Sequence, residues 1–508
     1  MPGSVAGKES SPVEKKVEQV KKAEEDTKTT SDKPCCGETA VAGQCHSAQT
    51  PVEAMKSPRE KYLYVLCLQS EENEQDKCGY LATIDADPSS SNYGKVIHRL
   101  YSSDPKDELH HFGWNSCVSC KNPAMQHRYL VVPGINSGNI HIVDVQNPAQ
   151  PTLFKVISGA EVAEKFDATH PHTVHCLPSG EVMISYMGDK YGEGKGSFLL
   201  LDGKTFEPTG LWNRNDRPVM GYDFWYQPRH NIMVSSEFGV PNCFMKGFSP
   251  EDVKNNKLGN YLHFWNWADH TLIKSIHIGE EGAGSTTPLE LRFLHNPEAC
   301  EGFVGVALES TIRRFFKTPD GEWTTEVVIQ VPPKQVENWT MPSMPANISD
   351  IIISLDDQFL YFADWLHGDV RQYNISDTKN PKFVSSVFLG GLISSDTGIK
   401  VVEDKELDKQ PERLVVKGHP ILAGPNMLQL SRDGKRLYVT MSILNSYDKQ
   451  FYPEMVKNGS GIIMFNCSPD GMKVDEDFYV DLHNEPDGPA RAHEVRYPGG
   501  DCTSDIWV

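Results

Sequence analysis

The sequence predicts an all-β fold, a seven-bladed β-propeller, and three observations carry that prediction. Short runs rich in β-branched and aromatic residues, separated by Gly, Asp, Asn and Pro, fill the chain after Thr50. Long stretches of helical periodicity are scarce. A strand–turn–strand unit recurs seven times.

The elements follow in order. Residues 1–50 are rich in Lys, Glu, Ser and Thr and contain no aromatic residue. Such a composition buries too little apolar surface to offset the entropy of ordering, so a disordered tail is expected over 1–50 and the propeller over 51–508. Within the tail, Val13, Val17 and Val20 have the spacing of a transient helix, and Cys35, Cys36, Cys45 and His46 are expected to be solvated rather than metal-bound. Three strands come next, Tyr62–Gln69, Tyr80–Asp87 and Lys95–Tyr101. The repeated units are then Glu108–Cys117, Pro171–Ser185, Gly221–Ser235, Leu289–Ala307, Ile348–Ala363, Gly424–Thr440 and Arg491–Trp507. Their starts lie roughly 50 to 76 residues apart, long for a four-stranded blade but tolerable with loop insertions. Eight blades, or a propeller with a small extra domain, would fit the same spacing. The last unit leaves room for one or two strands, so Asp501–Val508 is expected to join the N-terminal strands in one blade. Closure in that way leaves only short, protected edges.

Charge narrows the function classes. The formal net charge of the 508 residues is −20, and residues 1–50 hold seven Lys/Arg against eight Asp/Glu, so the excess lies in the body. An acidic body repels phosphate backbones and anionic membrane surfaces, which argues against nucleic-acid binding. The N-terminal stretch MPGSVAGKESSPVEKK has no apolar core of a signal peptide, and no run of 18 apolar residues marks a membrane span. A cytoplasmic location is expected, with the nucleus as the second compartment open to it, and the 12 cysteines are expected to be reduced thiols.

In a propeller the innermost strand of each blade runs along the central channel, and a residue near its start can project to the axis. The seven unit starts carry His110 and His111, His172 and His175, Asp223, Glu290, Asp350, Asn426, and His493 with Glu494. An interior strand start more often carries Val, Ile or Gly. The repeat therefore predicts a polar ring at one mouth of the channel, and its imidazoles are candidate metal ligands. Several imidazoles with few thiolates suit Zn, Cu, Fe or Ni, whereas a carboxylate-dominated ring would suit Ca or Mg. Adjacent residues on a regular strand point to opposite faces, so one of His110 and His111 would ligate, His111 being favoured. Glu494, Asp350 and Glu290 are candidates to orient the imidazoles. His367 is expected near the same mouth, and His230, His263, His270, His277 and His419 at the surface or in turns. Cys117 and Cys120 form a C-x-x-C without a second pair, which does not support a structural zinc site. Their expected state is buried and inert, with redox or soft-metal chemistry as the alternative.

The strings EAMKSPREKYLYV, YLATIDADP, KDELHHFGWNSC, GYDFWYQPRHN, LRFLHNP, LYFADWLHGDVRQY, DGKRLYVT, DKQFYPE and AHEVRYPGGDCTSDIWV resemble the selenium-binding protein family, whose members include methanethiol oxidases. The resemblance spans nearly the whole chain after Thr50 and implies a β-propeller. It also implies a copper-dependent oxidation of methanethiol by O2 and water to formaldehyde, hydrogen sulfide and hydrogen peroxide. The implied copper ligands fall on His110, His111, His172 or His175, and His493; for acid–base work the candidates among the ring carboxylates are Glu494 and Asp350, a reading separate from the resemblance. Cys117 and Cys120 are the thiols to consider for redox or selenium chemistry. Mammalian relatives carry a cysteine, discussed as a selenium site, where this chain has Gly94 in SNYGKVIHRL. A scaffold that binds selenium or protein partners in intracellular transport is the alternative, and the fold alone would support it. A lactonase-like propeller would prefer a carboxylate-rich calcium site, which the histidine content argues against.

Overall fold

Seven four-stranded antiparallel sheets form the frame of the described residues. In the computed structural model these are residues 48–69, 79–105, 107–122, 125–214, 217–280, 282 and 284–508. The expectations for Val13 to Val20 and for Cys35, Cys36, Cys45 and His46 lie outside them. Blade 1 orders its strands Val96–Tyr101, Tyr80–Asp85, Tyr62–Gln69 and, innermost, Ala490–Arg496. Blades 2 to 7 start from the inner strands Gly113–Trp114, Thr169–Cys176, Phe224–Gln227, Pro288–Phe293, Ile348–Ile353 and Leu428–Leu430, and each runs outward in sequence order.

Burial follows the position in the blade. The inner strands Ala490–Arg496, Pro288–Phe293 and Ile348–Ile353 are buried along their whole length. Outer strands such as Thr271–His277 alternate half-buried and exposed residues, as a sheet with one solvated face requires. Between blades the two faces interlock through aromatic residues: Phe198 meets Phe224 and Trp265 edge-on at 5.4 and 5.5 Å.

The strand that closes the ring is Ala490–Arg496, paired antiparallel with Tyr62–Gln69 so that Val65 faces Val495 and Leu68 faces Arg491. Asp501–Val508 does not pair in that blade. Gly499 and Gly500, both with φ above +90°, end the strand, and the buried tail crosses the far ends of the inner strands. There Trp114 Nε1 donates to Asp501 at 3.0 Å and Gln227 Nε2 to the Trp507 carbonyl at 3.3 Å.

The departures from regular blades are insertions: a three-stranded sheet of Lys334–Glu337, Ser343–Met344 and Lys400–Glu403, and a hairpin of Val415–Val416 and His419–Pro420. The short helices Pro241–Phe244 and Asn445–Phe451 contribute to the wall of a cavity at the channel mouth. No helix of the described residues is long and apolar enough to cross a membrane.

Gly94 occupies a left-handed turn with φ +75°, and a Cβ there would lie 3.2 Å from the Tyr479 carbonyl oxygen. A side chain in this backbone region costs about 1–2 kcal/mol. Gly94→Cys is expected to destabilise the protein by about that amount, read as a lower urea midpoint at unchanged slope.

Candidate metal centre

The inner strands begin at one mouth of the channel, and local irregularities aim their first polar residues inward. Blade 1 carries a bulge between the pairs Val65–Val495 and Cys67–Ala492, so that His493 and Glu494 share the place of one residue. Bulges recur at the same level in blade 3 between Pro171 and Val174, in blade 5 between Pro288 and Leu291, and in blade 6 between Ile348 and Asp350. A bulge re-aims a side chain that strict alternation would turn away. In blade 2 regular pairing starts only at Gly113, after the histidine pair, so His110 and His111 both turn to the same space. Their rings lie 4.7 Å apart and nearly perpendicular. The expectation that one of the two would be excluded assumed a regular strand there.

Four imidazoles converge. His110 stacks on His493 at 3.8 Å, and His111 lies 4.0 Å from the ring of His172 and 4.9 Å from that of His493. His110, His111 and His493 each bring one ligand atom within 4.8 Å of the others, and so do His111, His172 and Glu290. His175 belongs to neither group: one turn of the pleat further along, its ring packs against Phe224 and Trp225 at 5.2 and 5.1 Å. His367 is buried, with Nε2 3.1 Å from the Met344 carbonyl, outside both groups. His263, expected at the surface, is buried with Nε2 3.0 Å from Glu237.

The hydrogen-bond partners fix which ring nitrogen faces inward. His493 Nδ1 donates to the Ser442 carbonyl at 2.7 Å. His111 Nδ1 lies 3.1 Å from the Glu494 carboxylate. His172 Nδ1 lies 3.0 Å from Thr173 Oγ1, whose hydroxyl donates to Asp223 at 2.9 Å. With each Nδ1 carrying the proton, each Nε2 carries a lone pair. The Nε2 atoms of His111 and His493 then face one another at 3.4 Å, two acceptors with no hydrogen between them. His172 Nε2 is buried without a hydrogen-bond partner. Such an arrangement is satisfied by a cation. Burial pushes His110 down to about 3, and holds His111, His172 and His493 well below the usual histidine range, with neighbouring imidazoles adding to the effect. All four are therefore neutral at neutral pH, the form that binds metal.

Beneath the imidazoles lies a belt of charge. Arg292, buried, bonds Asp223 at 2.8 Å and Glu290 at 2.9 Å, and lies 3.6 Å from Asp350. Arg496 bonds Glu494 at 2.6 Å. Three of these carboxylates also bridge to the next blade. Asp223 accepts from Leu291 N at 2.9 Å, Asp350 from Leu428 N at 2.7 Å and Glu494 from Phe112 N at 2.8 Å. They thereby satisfy buried donors at inner-strand starts and tie the ring together. Glu290 leaves Oε1 buried without a hydrogen-bond partner, and burial followed by the neighbouring Asp223 raises its carboxyl well above the usual range. Asp350 is pushed up to about 7 by burial.

Above the imidazoles a cavity of about 50 Å³ is lined by His110 and His172 together with Met187, Tyr222, Phe244 and Tyr447. Its walls are chiefly apolar, so it suits a small substrate with an alkyl group.

Cys117 and Cys120 sit elsewhere. The strand ends at Trp114, and the two cysteines flank a turn closed by a 3.0 Å bond from Cys120 N to the Cys117 carbonyl. Cys117 Sγ is 3.0 Å from Ser119 Oγ, which is 3.6 Å from Cys176 Sγ. Cys176 lies four residues beyond His172 along one strand, roughly 13 Å at strand rise, so these thiols are at the other end of the channel. Burial acts to raise the Cys117 thiol, but bonding from Cys176 and Ser119 brings it below the usual value.

Fold and site together define a seven-bladed β-propeller with a buried, imidazole-rich centre on its axis. The profile of the family described as 56 kDa selenium-binding protein matches residues 44–508, and the chain belongs to that family. It is 51% identical over 465 residues to a protein from Danio rerio named methanethiol oxidase, covering 91% of this chain and 97% of that one. It is 50% identical over 464 residues to selenium-binding protein 2 of Mus musculus, covering 90% and 97%. Among solved structures, a hypothetical selenium-binding protein from Sulfolobus tokodaii superposes with a TM-score of 0.80 at 36% identity, covering 91% of this chain and 98% of that one.

Glu494→Gln removes the charged acceptor from His111 Nδ1 while preserving shape. Loss of such an orienting partner costs about 10–100-fold in metal affinity. Competition with a chelator of known affinity is expected to read a loss in that range.

Proposed function

We propose that this protein is a copper-dependent methanethiol oxidase, turning methanethiol, O2 and water into formaldehyde, hydrogen sulfide and hydrogen peroxide. The observation that carries the reading is the pair of facing Nε2 lone pairs on His111 and His493, packed against His110 and His172, which line a small apolar cavity. Relatives at half identity over nearly their full length carry the name of that activity. The donor set fits copper: neutral imidazoles suit it, and His172 Nε2 and Glu290 Oε1 are buried and still lack hydrogen-bond partners. His110, His111, His172 and His493 would hold the ion. Bound there, copper would supply a soft centre for the thiolate and a one-electron path to O2.

The chain's own residues do the rest. Met187, Phe244 and Tyr447 receive the methyl group and keep water from the reacting carbon. Ser442, Thr173 and Glu494 hold the three imidazole tautomers. In this reading Glu494 works through His111, and Asp350 through Arg292 and the blade contact, since the oxygens of both are engaged. Glu290, with an unpartnered oxygen beside His111 and His172, would take the thiol proton in its ionised form, which the Arg292 counter-charge favours against burial. His175, Cys117 and Cys120 take no part.

Product analysis tests the reading. Formaldehyde, sulfide and peroxide are expected in equal amounts per O2 consumed from methanethiol, and a folded, copper-loaded protein that releases none of them would overturn it.

A further inference from the structure

Away from the channel axis, His419, Asp481 and His483 each bring one ligand atom to within 4.8 Å of the others. We propose that this triad is a second metal site, one that takes a divalent transition ion of imidazole preference, zinc in the first place. The bound ion would tie the inserted hairpin to blade 7.

The three residues come from separate parts of the fold. His419 lies in the hairpin of Val415–Val416 and His419–Pro420, outside the blade framework. Asp481 is the last residue of Gly471–Asp481, the outermost strand of blade 7, and His483 follows two residues later. Each side chain is held. The His419 ring stacks on Tyr479 at 4.6 Å with an interplanar angle of 11°. Asp481 accepts from the His483 backbone N–H and from Asn484 Nδ2, both at 2.8 Å. His483 Nδ1 lies 3.1 Å from Asp481 Oδ1. With the ring proton on Nε2, His483 Nδ1 and Asp481 Oδ1 stand side by side as two acceptors, which a cation bound by both would satisfy.

The chemistry of the set points to zinc. Two imidazoles with one carboxylate match the donors of many zinc sites with an open position, whereas calcium and magnesium ask for more oxygens. The residues are half-buried, so an ion can reach them without unfolding. Zinc–ligand bonds of about 2.0–2.2 Å require the ligand atoms to close up somewhat on binding. Lys417 Nζ, 3.3 Å from the Asp477 carbonyl, already leans the hairpin toward this strand.

The test is a zinc titration of the full-length, metal-stripped chain by calorimetry, beside the same titration of His419→Ala/His483→Ala. Neither residue belongs to the axial centre, so sulfide release from methanethiol is expected to be equal in the two proteins after copper loading. The expected result is one equivalent of zinc fewer in the double variant, with a smaller zinc-induced rise in its melting temperature. Equal zinc stoichiometry in the two proteins would overturn the proposal. So would a lost equivalent accompanied by lost sulfide release, since that would place the effect at the axis. Should the double variant fail to fold by circular dichroism, His483→Gln is used instead, and the weaker zinc equivalent is expected to lose affinity at least tenfold. Unchanged affinity there would equally overturn it.

Discussion

His493→Ala is expected to abolish methanethiol oxidation and to release copper. This imidazole stacks on His110, faces His111 across 3.4 Å and is held by the Ser442 carbonyl, so no neighbouring donor can take its place. Loss of an orienting partner alone costs up to roughly 100-fold in affinity, and loss of the ligand itself is expected to exceed that. The fold should survive. His493 sits in a strand whose pairing is through the backbone, and alanine removes a side chain in polar contact with the Ser442 carbonyl, Asn426 and His111. The check is copper content after dialysis together with sulfide release, with circular dichroism as the control for folding. A variant that keeps both copper and turnover would remove His493 from the centre.

Arg292→Met is expected to be the most destabilising single change on the axis. The guanidinium bonds Asp223 and Glu290 and lies near Asp350, all of them buried. Methionine fills part of the space but leaves three buried carboxyl groups without their counter-charge. Breaking a buried pair from one side costs about 3–5 kcal/mol. The contrast with His493→Ala is informative, since that change should strike function and spare stability, while this one should strike stability first. Urea unfolding reads the loss as a lower midpoint. A shift equivalent to less than about 1 kcal/mol would mean that the carboxyl groups are already protonated and that Arg292 is not their main support.

The ring of polar residues was legible because repetition is a long-range signal. Seven similar units imply seven inner strands, and the residues at their starts are then neighbours in space whatever their separation in sequence. His493 and His111 are 382 positions apart and meet at 3.4 Å. Two features were not legible, and two others had only a local signal. The bulges at His493–Glu494, Pro171–Val174 and Ser349 depend on pairing register, which the alternation of one strand does not reveal. The sequence suggests Asp350 and Glu494 as orienting groups or bases and Asp223 only as a member of the ring, yet all three bond an N–H of the following blade. That role exists only once the blades are side by side. Arg292, central to the charge belt, lies within Leu289–Ala307 two positions from Glu290, and that spacing is the signal the sequence offers for it. The tail Asp501–Val508 was placed in a strand on count alone, whereas the Gly499–Gly500 pair that turns it away was there to read.

The central claim is that the axial imidazoles hold the copper on which oxidation depends. The most direct measurement follows sulfide and peroxide release from methanethiol in air by the full-length protein as isolated, after copper chelation and after copper is restored. The account predicts about one axial copper per chain, loss of both products on chelation and their return with copper. Full release of sulfide and peroxide by copper-free protein, or none from folded protein with copper restored, would contradict it.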